Sequence, residues 1–85
     1  MDEKELARRA KALPERFAER VGDELPILRS YAAGGEWGEL VDDLLATLAA
    51  ADVTVTAAER DELVALAQAM SLDSATFLGK LNVAG

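Results

Sequence analysis

The segment Gly34–Ala51, "GGEWGELVDDLLATLAAA", decides how this chain folds. Successive residues stand about 100° apart around a helix, so positions counted from Glu36 sort into two arcs. Trp37, Leu40, Val41, Leu44, Leu45 and Leu48 share one arc, while Glu36, Glu39 and Asp43 lie opposite with Asp42 nearby. One side is apolar and the other anionic, which predicts an amphipathic helix over 36–51. Gly34 and Gly35 stop the helix before it, one of them left-handed at C′. Trp37 reads as core or half-buried beside Leu40, Val41 and Leu44. Tyr31 is expected at the rim, its hydroxyl wet.

Outward from this segment the pattern stays helical. Leu6, Ala10, Leu13, Phe17 and Val21 form a stripe at spacings of three and four, predicting a helix over 2–21. Asp2 and Glu5 supply its starting box. Pro14 falls inside the stripe, removes the backbone bond to the Ala10 carbonyl and should kink or split the helix. Gly22 ends it. Asp23 is expected to cap a helix over 23–33 with Pro26 in its first turn. After 36–51, "DVTVT" reads as an extended connector too short and solitary for a sheet. Thr56 and Glu59 form a capping box for a helix over 56–70. Asp73 is expected to cap a last helix over 73–81, with Leu72 and Phe77 as its hydrophobic staple, and Asn82–Gly85 to fray. The expected product is all-α: a single domain, 1–85, built as a compact bundle of four to five short helices, the first kinked or split at Pro14.

Composition narrows the function. The chain has 85 residues, no cysteine and no histidine. It therefore lacks thiolate chemistry, the commonest metal ligand and the commonest neutral-pH general base. An enzyme is not expected, and neither is a cofactor. Adjacent Asp42 and Asp43 point about 100° apart and do not close readily on one cation. No apolar run of about 18 residues occurs, and "MDEKELARRAK" at the N-terminus lacks the apolar core of a secretory signal. A cytoplasmic protein with no membrane partner is the expectation.

The formal net charge is −7, unevenly placed. Residues 1–30 hold seven acids and seven bases, and residues 31–85 hold nine acids against Arg60 and Lys80. Phosphate backbones need a basic patch, so nucleic acid is not an expected partner. A basic protein is, because opposite fields steer encounter. Acids in a first helical turn favour the macrodipole, which accounts for Glu36 and Glu39. It does not account for Asp42 and Asp43 one turn later, where aspartate is a poor helix former. No base within 36–51 neutralises them, and Arg29 and Lys80 are the nearest candidates to fold over that face.

Across residues 28–72, several elements recur in a familiar order: Gly35-Glu36-Trp37-Gly38, the leucines at 44, 45 and 48, the Thr56–Glu59 start, and the run from Leu63 through Met70 to Leu72. This layout resembles the small Maf-type immunity proteins of bacterial polymorphic toxin systems. The resemblance implies a cytoplasmic protein that binds and neutralises the C-terminal domain of a cognate toxin, often a basic nuclease. Glu36, Glu39, Asp42 and Asp43 are then the contact candidates, with Tyr31 and Trp37 as aromatic anchors. Two other readings compete. "LDSATF" invites a carrier protein with an arm on Ser74, although carriers of that kind hold their serine near mid-chain in a D-S-L motif. A docking or regulatory subunit would use the same acidic helix.

Overall fold

The computed structural model describes residues 1–73 and 75–84. It is an all-α bundle whose first helical stretch is bent into three pieces: α1 (Glu3–Lys11), α2 (Leu13–Arg16) and α3 (Ala18–Val21). Pro14 sits in the first turn of α2, where its missing N–H costs no helical bond. Asp2 Oδ1 caps α1 by accepting from the Glu5 N–H at 2.8 Å. A second bend falls at Phe17, where the sequence offers neither proline nor glycine. There the Phe17 carbonyl accepts from both Arg20 and Val21 N–H, at 2.9 and 3.1 Å, while the ring is buried in the core.

Gly22 takes φ +56° and leads into a 3₁₀ turn, Gly22–Glu24, before α4 (Leu25–Ala33). Asp23 therefore does not cap α4. The turn carries the chain past it, Glu24 occupies the cap position without a side-chain bond, and Pro26 lies in the first turn. Then come α5 (Trp37–Ala51), a two-residue strand β1 (Thr54–Val55), α6 (Ala57–Ala69), α7 (Ala75–Lys80) and a second short strand β2 (Asn82–Val83).

The strands correct two expectations. β1 is not solitary and 82–84 do not fray, because β1 and β2 pair in parallel with Thr54 opposite Asn82 and Val55 opposite Val83. Ala84 N–H donates to the Val55 carbonyl at 2.8 Å. The Asn82 amide donates to the backbone carbonyl of Asp52 at 3.2 Å and to its carboxylate, and Asp52 itself ends α5 in the left-handed conformation. A polar residue thus fastens the C-terminal segment, where hydrophobic patterning gave no signal. Position 74, between Asp73 and α7, is outside the described residues, so the expected Asp73 cap and its staple are not placed. Leu72 and Phe77 both pack, half-buried, against the core.

Helix α5 is the axis of the molecule. Its Leu40, Val41, Leu44, Leu45 and Leu48 are wholly buried, and it packs against α1, α3, α4, α6 and α7. Phe17, Leu28, Val55, Leu63 and Leu66 fill the space around it. Among the described residues no helix is long and apolar enough to cross a membrane.

Candidate functional site

Two helix ends build one side of the molecule, and both end the same way. At the end of α4, Glu36 N–H donates to the Tyr31 carbonyl at 2.9 Å and Gly35 N–H to the Ala32 carbonyl at 3.3 Å, with Gly35 at φ +71°. This paired pattern around a left-handed residue is a Schellman turn. At the end of α6, Leu72 N–H reaches the Ala67 carbonyl at 2.9 Å and Ser71 N–H the Gln68 carbonyl at 3.1 Å, with Ser71 at φ +55°. The first turn delivers Glu36 and Trp37 to the surface, and the second delivers Leu72 beside Met70.

Between them lies an open groove of about 530 Å³. Leu6 of α1, Trp37 and Gly38 of α5, and Met70 and Leu72 at the end of α6 line it. Gly35, Glu36 and Glu39 form its lip. Apolar side chains with a few polar groups at the mouth are the usual make-up of a binding concavity, and Trp and Met are enriched at such surfaces. Gly38 belongs to this geometry. A Cβ placed there would stand 3.8 Å from Leu72 Cδ2, an ordinary contact, so close packing does not require glycine at this position.

Beside the groove is a knot of like charge. The Glu24 and Asp43 carboxyl groups face one another, and Asp43 Oδ2 is buried with no hydrogen-bond donor among the described residues. The facing Asp43 carboxyl raises the Glu24 pKa, because only a shared proton turns the pair into a hydrogen bond, and partial burial adds to it. Tyr31 is half-buried against the same carboxylates. Burial, and then the negative charges of Asp43, Glu39, Glu36 and Glu24, push its phenol pKa upward.

The six residues singled out in the sequence therefore divide. Trp37, Glu36 and Glu39 meet at the groove. Asp43 and Tyr31 meet around Glu24, which the helical wheel of a single helix cannot bring in. Asp42 is exposed on α5 outside the groove lining. Arg29 does not fold over the acidic face. Its guanidinium is held by Glu15, with Nε–Oε1 at 2.6 Å and Nη2–Oε2 at 3.1 Å. Ser74 lies outside the described residues.

Other carboxylates of the molecule are paired. Glu59 and Glu62 of α6 are taken up by arginines from the first three helices. Arg20 bonds both Glu59 oxygens, at 2.7 and 2.6 Å, and Arg16 approaches at 3.7 Å. Arg9 holds Glu62 in the same forked manner. Glu59 also completes the Thr56 capping box, accepting from Thr56 N–H at 2.9 Å while Thr56 Oγ1 accepts from Glu59 N–H at 3.0 Å. The Arg20 hydrogen bonds lead in pulling the Glu59 pKa down to about 2, against its burial. Glu36, Glu39 and Asp43 enter no ion pair among the described residues. No group of three or more potential ligands that could hold a metal ion occurs among the described residues.

No family model matches the sequence, and comparison with curated proteins and with solved structures finds no match.

Proposed function

We propose that this chain is a non-catalytic protein-binding module that neutralises a basic protein partner by covering it, as the likeness to polymorphic-toxin immunity proteins implies. Its setting would be the cytoplasm and its partner the C-terminal domain of a toxin. One observation carries the reading: an apolar groove with an acidic lip, whose Glu36 and Glu39 enter no ion pair among the described residues. A basic surface, such as one that grips nucleic acid, is attracted to that lip by the long-range field and retained by apolar contact. Neutralisation of this kind is steric and asks for no reacting group, in keeping with a chain that has no histidine and no cysteine.

The test is co-expression with the toxin domain encoded beside the gene, scored by survival and by association kinetics of the purified pair. Glu36 and Glu39 are the residues to reverse, since both are exposed and Asp43 is wedged against Glu24. The Glu36→Lys/Glu39→Lys variant is expected to associate about tenfold more slowly at low salt, with the difference shrinking as salt rises. Unchanged kinetics in that variant would remove these residues from the interface. Failure of the wild-type chain to protect would remove the immunity reading.

A further inference from the structure

The groove has a shape and a charge that select among occupants. Gly38 is part of its lining, in the first turn of α5, where alanine is the better helix former and its Cβ would meet Leu72 Cδ2 at an ordinary 3.8 Å. The glycine thus serves neither helix stability nor core packing. Its effect is to leave that part of the lining without a side chain. Met70, an unbranched and adaptable side chain, lines the same wall.

Charge removes most candidates. A second copy would bring its own net charge of −7 to this acidic face, so like charge opposes self-association through it. Anionic lipid and nucleic acid are repelled by the same lip. A small apolar molecule would stay largely uncovered, because the groove is open where ligand pockets enclose most of their guest. An amphipathic helix meets the requirements: apolar residues at i, i+3, i+4 and i+7 to cover an open apolar surface, and flanking cations to meet Glu36 and Glu39.

We infer that the groove between Trp37, Gly38, Met70 and Leu72 docks a basic amphipathic helix of the partner protein. This rests on the protein-binding reading above and identifies the segment that the partner inserts. Trp37 is the chain's single tryptophan, so its fluorescence reports occupation directly.

The experiment titrates the full chain with a synthetic helical peptide carrying leucine at i, i+3, i+4 and i+7 and lysine elsewhere. A second peptide of the same composition has its leucines spread around the helix. The patterned peptide is expected to shift Trp37 emission to the blue with a saturating one-to-one isotherm, at least tenfold tighter than the scrambled one. Gly38→Leu adds a side chain to the lining and should weaken binding at least tenfold, with folding monitored by circular dichroism. Met70→Lys should do the same if Gly38→Leu does not fold. Absence of a saturable shift, equal binding of the two peptides, or wild-type affinity in the folded variants overturns the inference. Full protection by Gly38→Leu against a toxin that the wild type neutralises overturns the groove and leaves the immunity reading standing. Groove-dependent peptide binding by a chain that protects against no toxin does the reverse.

Discussion

Two knots of charge in this bundle are built on opposite terms. At Arg20–Glu59 a mostly buried carboxylate receives both arms of a guanidinium, a backbone N–H and a second arginine nearby, while the Arg20 guanidinium lies 4.4 Å over the Phe17 ring. At Glu24–Asp43 two carboxyl groups face each other with Tyr31 between their fields and no ion pair for Asp43 among the described residues. The first joins α3 to the start of α6 and explains itself as structure. The second opposes folding at neutral pH, and it lies beside the apolar groove. Ion pairing thus distinguishes Glu59 and Glu62, which hold the fold, from Glu36, Glu39 and Asp43, which enter no ion pair among the described residues.

The sharpest way to break the comparison is to remove the guanidinium. Arg20→Ala leaves Glu59 buried with only the Thr56 N–H and the more distant Arg16. Stranding one partner of a buried pair costs about 3–5 kcal/mol, and the partly exposed Arg20 places this case near about 3 kcal/mol. For a domain whose whole stability is on the order of 5 kcal/mol, that is most of it. The variant should show a large drop in the urea midpoint. Under conditions where it remains folded, the Trp37 peptide titration should match the wild type. Equal loss in both measurements would mean that the Arg20–Glu59 knot and the groove are one cooperative unit.

Acid sharpens the comparison because the knots respond with opposite sign. Glu59 has its pKa lowered from 4.5 to about 2, so its contribution is complete above 4.5 and is lost as pH falls through about 2. Glu62, held by Arg9, follows the same direction. Glu24 has its pKa raised above 4.5, so the folded state takes up its proton first, and stability rises as pH falls through that raised value. The expected profile climbs on mild acidification from neutrality and then collapses in strong acid. Glu24→Gln, which supplies a neutral hydrogen-bond donor to Asp43 at every pH, should abolish the climb and spare the collapse. A profile in Glu24→Gln identical to that of the wild type would refute the opposition of the two carboxyl groups.

The contrast also shows what a one-dimensional reading can reach. The 36–51 amphipathic pattern, the Pro14 interruption and the Thr56–Glu59 box are local, and each is carried by residues within a few positions of one another. The bend at Phe17 has no local signature, since the buried ring and its neighbours impose it. The pairing of 54–55 with 82–83 joins two segments too short to announce a sheet. The same holds for the site. Glu36, Glu39 and Trp37 share one turn of one helix and were legible. Glu24 reaches Asp43 from another element, and Leu6, Met70 and Leu72 come from the two ends of the chain. Glu59 was legible as a cap, yet Arg20, 39 positions away, was not legible as its partner. A signal did exist at Gly38: a glycine inside the first turn of α5, without a turn to require it.

The smallest expected effect tests how the groove side is shaped. Gly35 and Ser71 hold equivalent places in the two Schellman turns, both left-handed, at φ +71° and +55°. A left-handed residue with a Cβ is strained by about 1–2 kcal/mol, and a glycine there gives back about 0.4–1 kcal/mol through a more flexible unfolded chain. Ser71→Gly should therefore stabilise by about 0.5–1 kcal/mol. Gly35→Ala should destabilise by a similar amount, through backbone strain alone, because the added Cβ meets nothing nearer than Trp37 Cζ2 at 3.8 Å. Urea unfolding measures both. If each shifts stability as stated while the Trp37 titration is unmoved, the turns act only to deliver Glu36, Trp37 and Leu72 to the groove. If Ser71→Gly stabilises the fold and weakens peptide binding, then the rigidity of a serine held left-handed beside Leu72 is itself part of the docking surface.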